Sequence, residues 1–155
     1  MSILLTKQKI KKEWTDYNKH MNVAYYVLVF DEAWEVMLQK FKMGENSAKT
    51  AEMSTMVVET YITYKNEVKE GEEVDIFLNY FNHDKKRLHY RLEMFQKPSK
   101  KLSATIELLS LYVDLKKRKV SDFENEKINL MENFISKNRN SFNKDNLKFL
   151  SKLKK

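Results

Sequence analysis

The apolar residues of this chain repeat with two different periods, and this change restricts its fold more than any other feature. Between residues 22 and 41 they recur at the three- and four-residue intervals of a helix. After Gly44 the chain becomes rich in β-branched and aromatic residues, and apolar and polar side chains alternate as they do in strands. Four strand-like stretches follow, near residues 54–67, 73–82, 87–97 and 101–116. The pattern predicts one long helix and then an antiparallel meander.

The predicted helix is apolar nearly all round, so it needs cover on most of its sides. A sheet that wraps one face around the helix buries both apolar patterns at once. Only two glycines and one proline interrupt the 155 residues, which favours long elements. We therefore predict an α+β domain over residues 1–120, in which a short strand leads into the central helix and the sheet.

After the last strand the helical period returns. Residues 121–155 are predicted to form a C-terminal helical extension with a basic tail, and Ser121 and Glu124 are spaced as a capping box at its start. The sheet would still have an uncovered outer face and an unpaired edge, which proteins normally pair or protect. A homodimer or homotetramer is therefore expected.

The residue composition excludes several kinds of chemistry. Cysteine is absent, so the chain has no disulfide, no thiolate metal ligand and no thiol nucleophile. The histidines stand apart at positions 20, 83 and 89, so no metal site is predicted. No apolar stretch reaches the ~18 residues of a membrane span, and the first residues lack a signal-peptide cleavage site. A cytoplasmic protein without a membrane span is expected.

The net charge of +7 is concentrated in one segment. Residues 137–155 carry seven basic side chains and one acid, Asp145, so the rest of the chain is nearly neutral. A nucleic-acid-binding protein usually has its basic face on the folded body, so nucleic acid is not expected as a partner. We expect a solvated or weakly docking tail whose removal from residue 140 onward costs little stability or turnover. The alternative is a module that binds RNA or a membrane through this tail.

A cluster of polar residues precedes the apolar helix in the sequence WTDYNKHMN. It consists of Asp16, Asn18, His20 and Asn22. Each has an ordinary explanation by itself, as a turn residue, a surface histidine or, for Asn22, an N-cap. Together they suit hydrolysis, because a helix N-terminus offers unpaired N–H groups to a developing oxyanion. A carboxylate just upstream can act as a general base on water or attack directly.

The longer stretch WTDYNKHMNVAYYVLVFDEA resembles the motif of the hotdog-fold thioesterases of the 4-hydroxybenzoyl-CoA thioesterase type. In that motif an Asp is followed by Asn, Gly, His and Asn at the start of the central helix. More narrowly, HDKKRLH at 83–89, SATIE at 103–107 and YVDLKKRK at 112–119 are similar to the betainyl-CoA thioesterase branch, found alone or fused to carnitine dehydrogenase. The likeness covers residues 10 to about 135.

This resemblance implies a hotdog fold and a catalytic Asp16, with Asn18, His20 and Asn22 around it. It implies no cofactor, because coenzyme A enters as part of the substrate. Lys19 departs from the family, which usually has glycine at this position. Glycine would permit a positive φ or a close approach by the ligand, so the lysine leaves the geometry of the loop open.

Six further residues are candidates for substrate binding: Tyr25, Lys86, Arg87, His89, Thr105 and Glu107. Lys86 and Arg87 share a turn and can bind the phosphates of coenzyme A, or can simply be solvated. His89 and Glu107 lie on strands, where they can line the partner's side of the pocket or form a cross-strand pair. Tyr25 is either a core residue or a cation–π contact for a quaternary ammonium group.

The function implied by the resemblance is hydrolysis of a small polar acyl-CoA, with betainyl-CoA as a candidate, to the free acid and coenzyme A. The alternative is a non-catalytic hotdog protein that binds acyl-CoA or scaffolds a partner, in which Asp16 only caps a turn. Thiol release over a panel of acyl-CoAs separates these two hypotheses.

Overall fold

A long helix lies against an antiparallel sheet, as the change of apolar period predicted. The computed structural model describes residues 2–155. Helix α1 spans Val23–Lys40. The strands are β1 Ile3–Lys9, β2 Met53–Tyr64, β3 Glu73–His83, β4 Arg87–Lys97, β5 Leu102–Asp114 and the short β6 Lys119–Val120. They are ordered β1-β3-β4-β5-β2, with β6 beside β5, and every pair is antiparallel.

The structure has two shorter α-helices and three 3-10 turns, at Lys12–Trp14, Arg139–Ser141 and Leu150–Lys152. Helix α2, Glu45–Thr50, joins α1 to β2, and α3, Asn125–Asn138, follows β6. The predicted capping box at α3 is wrong, because Glu124 is itself the N-cap residue and makes no side-chain cap. The Glu124 carboxylate instead accepts a hydrogen bond from the Tyr112 hydroxyl at 2.8 Å. Within residues 2–155, no helix is long and apolar enough to cross a bilayer.

The core joins one side of α1 to the inner face of the sheet. It includes Val29, Phe30, Met37, Ile76, Leu92 and Ile106, all of which are fully buried. Trp34 of α1 meets Tyr90 of β4 with ring centroids 6.5 Å apart. Because neighbouring side chains along a strand point to opposite faces, His89 and Arg91 lie on the outer face. The prediction of a long helix wrapped by a sheet is confirmed, but the expected cover on most sides of the helix is wrong for one chain, since Val23, Val27 and Leu28 are 61, 37 and 38% exposed.

The segment 139–155, which we call the strap, crosses the outer face of the sheet. The guanidinium of Arg91 donates to the carbonyl oxygens of Asn143 and Asp145 at 2.6 and 2.7 Å. Farther along, the ring of Phe149 is buried against His89, with centroids 6.1 Å apart. The Lys154 N–H donates to Asp84 Oδ2 at 2.9 Å. Of the two forms expected for the tail, the solvated one is therefore wrong, since the segment docks on the body at three places along its length.

Strand β2 lies at one edge of the sheet and pairs only with β5 in the part of the chain that the structure describes. The strand carries apolar side chains on both faces of the sheet that water reaches. Met56, Val57, Val58, Tyr61 and Tyr64 are all exposed by 41 to 49%. A twelve-residue edge strand with this many exposed apolar side chains is unusual for an isolated monomer.

Candidate active site

The polar cluster forms a closed loop directly ahead of α1. Thr15 and Met21 form an isolated antiparallel bridge. Inside it, the Asp16 N–H donates to the His20 carbonyl oxygen at 3.1 Å, and the Lys19 N–H donates to the Asp16 carbonyl oxygen at 2.9 Å. These bonds fold four polar residues, which are spread over seven positions in sequence, into a single turn.

Lys19 supplies the backbone conformation that this turn requires. Its φ is +64°, in the left-handed region that glycine enters most easily. Lys19 therefore adopts the positive φ that a glycine at this position would permit. Lysine adopts the same region at a modest energetic cost, and its side chain points into solvent.

Asp16 is half-buried, and one of its carboxylate oxygens supports the loop. The Asn18 N–H donates to Asp16 Oδ1 at 2.9 Å, which makes an Asx turn. The other oxygen, Oδ2, accepts no hydrogen bond from any group within residues 2–155. One oxygen thus orients the carboxylate, and the second can accept a proton or attack a carbonyl carbon.

Asn22 fixes the junction between the loop and the helix. Its side chain accepts from the Ala24 N–H at 3.0 Å, which confirms the predicted N-cap. Its own N–H donates to the Trp14 carbonyl oxygen at 2.9 Å, closing the base of the loop. The loop that carries Asp16 is therefore held against the N-terminus of α1, where the helix dipole favours negative charge.

His20 contacts an acid that was not predicted from the sequence. His20 Nε2 lies 2.8 Å from Oε2 of Glu67, in the loop between β2 and β3. Loop packing creates this contact, because Met21 N–H donates to the Val68 carbonyl oxygen at 2.7 Å. Glu67 is 47 positions from His20 and belongs to none of the motifs quoted above, so no local spacing could have indicated it.

An aromatic pair borders the loop. Tyr25, in the first turn of α1, stacks on Trp14 with ring centroids 6.2 Å apart and an interplanar angle of 19°. The ammonium of Lys11 lies 5.1 Å from the centroid of the Trp14 ring. Tyr25 is half-buried, so its ring both packs against the body and lies within reach of the loop.

Lys86 and Arg87 lie at the β3–β4 turn and already have acidic partners. Arg87 Nη1 is 2.9 Å from Asp84 Oδ2, and Lys86 Nζ is 3.8 Å from a carboxylate oxygen of Asp122. Burial by itself raises the pKa of Asp84, but hydrogen bonds from Lys154, Lys86 and Arg87 outweigh it and hold the pKa below its usual range. The structure thus gives Arg87 a role in fixing the turn and the end of the strap.

His89 and Glu107 form a buried pair on the outer face, on the opposite side of the sheet from α1. Their side chains are 0 and 3% exposed, with His89 Nε2 2.7 Å from Glu107 Oε2. The backbone N–H groups of Lys148 and Phe149 donate to the same carboxylate at 2.7 and 2.8 Å. Burial lowers the pKa of His89, although the Glu107 carboxylate opposes this shift.

The structure therefore does not bring the six candidate substrate-binding residues together. Thr105 also faces outward, where its hydroxyl bonds to that of Thr63 at 2.5 Å. Contact of His89 or Glu107 with a substrate would require the strap to leave the sheet. The cross-strand pair, the alternative considered for these two residues, describes their observed geometry.

A large cavity lies away from the polar loop. It has a volume of about 920 Å³ and is lined on the outer face by residues such as Phe77, Phe95 and Pro98, and by none of the predicted site residues. We therefore locate the candidate active site by its chemistry, at the Asp16 loop. In the described residues, 2–155, no three His, Asp or Glu side chains are grouped to hold a metal ion.

Known proteins share this fold. A hypothetical protein from Staphylococcus aureus, characterised in complex with CoA, superposes with a TM-score of 0.80 at 20% identity, over 88% of this chain and 86% of that one. A 1,4-dihydroxy-2-naphthoyl-CoA thioesterase from Synechocystis superposes with a TM-score of 0.73 at 14% identity, over 84% and 96% of the two chains. The architecture is thus the hotdog fold.

Sequence comparison identifies the family. The profile of the thioesterase-like superfamily matches residues 10–134. A betainyl-CoA thioesterase from Pseudomonas aeruginosa is 30% identical over 128 residues, which are 81% of this chain and 80% of that protein. The family match and this relative define the class of protein as a thioester hydrolase. The chain belongs to the thioesterase-like superfamily.

Proposed function

We propose that this chain hydrolyses a small polar acyl-CoA, with betainyl-CoA as the candidate substrate, and that Asp16 is its catalytic carboxylate. The observation that carries the proposal is the geometry of Asp16, which has one oxygen bonded to the Asn18 N–H and the other without a partner among the described residues. The acyl group is inferred from the relative that is named a betainyl-CoA thioesterase.

In the proposed reaction, water attacks the thioester carbonyl carbon at the N-terminus of α1. Asp16 takes a proton from this water, the C–S bond breaks, and coenzyme A leaves as a thiolate that is then protonated. The Val23 N–H, which unlike those of Ala24 and Tyr25 does not donate to Asn22, stabilises the negative charge on the carbonyl oxygen. Asn18 and Asn22 hold the loop, and the Trp14–Tyr25 pair offers an aromatic surface to a cationic acyl group.

A panel of acyl-CoAs tests this proposal. Thiol release from each thioester is measured with a thiol reagent, and betainyl-CoA is expected to give a higher kcat/KM than acetyl-CoA and long-chain acyl-CoAs. A preference for long chains would contradict the proposed substrate class. Binding of acyl-CoA without any thiol release would support the non-catalytic alternative.

We also propose that two copies associate through the β2 edges, and that the protein works in the cytoplasm. Residues 1–120 would then carry the catalytic machinery, and residues 121–155 would support it from outside. The exposed apolar side chains of β2 support this arrangement, because pairing of two such edges would cover them and continue the sheet. If the substrate pocket forms between two copies, a single copy would contain only part of it.

The association predicts a mass of at least twice 18.7 kDa by light scattering. Val58→Asp places a charge at the centre of the β2 edge and is expected to give a monomer with reduced turnover. Val120→Asp, at an equally exposed valine on β6, is the matched control and should change neither mass nor turnover. A wild-type monomer at micromolar concentration would contradict the proposal.

A further inference from the structure

The imidazole of His20 is held by a carboxylate that lies outside the polar cluster. Its Nε2 is 2.8 Å from Glu67 Oε2. We infer that Glu67 is a positioning residue for hydrolysis, which orients His20 and determines which ring nitrogen is left for the attacking water. This inference rests on the proposed function and adds to it a residue from a different loop.

The two loops that carry this pair are fastened to each other beside it. The Met21 N–H donates to the Val68 carbonyl oxygen, and His20 pairs with Lys69 in an isolated antiparallel bridge. Met21 and Val68 are 4 and 0% exposed. Because their neighbours are buried and bonded, the two side chains lose little additional entropy when they meet.

Glu67 is also anchored to the sheet. The side-chain amide of Gln96, which is buried on β4, donates to the Glu67 carbonyl oxygen. On the carboxylate, Lys69 Nζ lies 3.4 Å from Oε1, so that Oε2 is the oxygen that contacts His20. Both the backbone and the side chain of Glu67 thus have a defined position from which to hold the ring.

This contact determines the position of the ring proton of His20. A carboxylate only accepts hydrogen bonds, so Nε2 must carry the proton that lies between the two groups. In the neutral ring, Nδ1 then keeps its lone pair, and no hydrogen bond to Nδ1 forms within residues 2–155. Such a nitrogen can accept a hydrogen bond from water but cannot donate one to the thioester carbonyl.

The role of His20 follows from this assignment. One O–H of the attacking water donates to Nδ1 of His20, while the other O–H gives its proton to Asp16. His20 therefore aligns the water without changing its own protonation state, and Glu67 acts only through His20. The side chains of the pair are 40 and 52% exposed, so water reaches the ring. A polar contact this exposed contributes little to folding, so a loss of turnover in a Glu67 variant would not be explained by a loss of stability.

A double-mutant cycle tests the inference. Glu67→Ala is expected to lower kcat roughly tenfold in the native chain and by less than about twofold in a His20→Ala chain, since its effect passes through the ring. Glu70→Ala removes an exposed acid from the same loop and is the matched control, with kcat within about twofold of the native value. Equal losses from Glu67→Ala in both backgrounds would overturn the inference.

Nitrogen-15 NMR of the His20 ring gives a readout that does not depend on turnover. At a pH where the ring is neutral, the native chain should show protonated Nε2, and Glu67→Ala should shift the ring signals toward a mixture of tautomers. Unchanged signals would overturn the inference, even if the chain is an active thioesterase. If the native chain releases thiol from no thioester, the proposed function fails, and the NMR comparison still decides whether Glu67 positions the ring.

Discussion

Asp16→Asn is expected to lower turnover on the best thioester by roughly 100- to 10,000-fold, the usual contribution of a general base. The amide keeps the size of the carboxylate, and its oxygen can still accept from the Asn18 N–H, which now bonds to Asp16 Oδ1 at 2.9 Å. The loop should therefore retain its shape, while the charge and the basicity are lost. The measurement is kcat, with circular dichroism to confirm that the variant is folded.

The control for this variant is Asp31→Asn, which makes the same chemical change at an exposed position of α1. It is expected to leave kcat within about twofold of the native value. His20→Ala should lower kcat less than Asp16→Asn does, because His20 aligns the water but does not take its proton. If the folded Asp16→Asn protein keeps near-native turnover, Asp16 only forms the turn and the proposed mechanism is wrong.

Removal of residues 140–155 is expected to lower the free energy of unfolding by about 3 kcal/mol or more, since it strips Phe142 and Phe149 from the outer face of the sheet. A loss of this size is a large fraction of the ~5–15 kcal/mol that stabilises a typical domain. It also removes both backbone donors to Glu107 and both carbonyl acceptors of Arg91. Urea unfolding followed by circular dichroism measures the difference.

Two adjacent substitutions make this test sharper than the truncation alone. Phe149 is 8% exposed, and Phe149→Ala is expected to cost about 3 kcal/mol. Leu150 is 48% exposed, and Leu150→Ala should stay within about 0.5 kcal/mol of the native stability. Equal stability of the truncated and full chains would mean that the strap is solvated, as the charge distribution alone suggested.

The parts of the fold that depend on apolar periodicity could be read from the sequence. The α1 helix was expected at 22–41 and runs from Val23 to Lys40, with Asn22 as its cap. The docking of the strap could not be predicted from the sequence. The composition of the segment shows that Lys148 has a basic side chain, but the contact with the sheet is made by its backbone N–H, which every residue except proline has. The Lys148 N–H and the Phe149 N–H both donate to Glu107, and these hydrogen bonds fix the strap to the outer face of the sheet.

Some residues of the candidate site could also be predicted from the sequence, and others could not. Asp16 and His20 stand close together in sequence, and their residue types indicated hydrolysis before any geometry was known. Glu67 reaches His20 only because the Met21 and Val68 backbones pair, which is a consequence of tertiary packing. For His89 and Glu107 the residue types were misleading. A histidine and a glutamate suit a substrate pocket, but in this structure they form a buried polar pair beneath the strap.

The exposed β2 edge also bears on the solubility of the chain before it finds a partner. The segment MVVETY combines high β-propensity with a single charge, which is the composition of strands that template aggregation. Glu59 and the register shift between Val57 and Glu59 are the features that blunt this edge in the monomer. Substitutions that weaken the pairing of two copies without adding charge should therefore yield aggregates at the concentrations reached during synthesis. A charged substitution on the same strand should also separate the copies, but its charge protects the separated chain from aggregation.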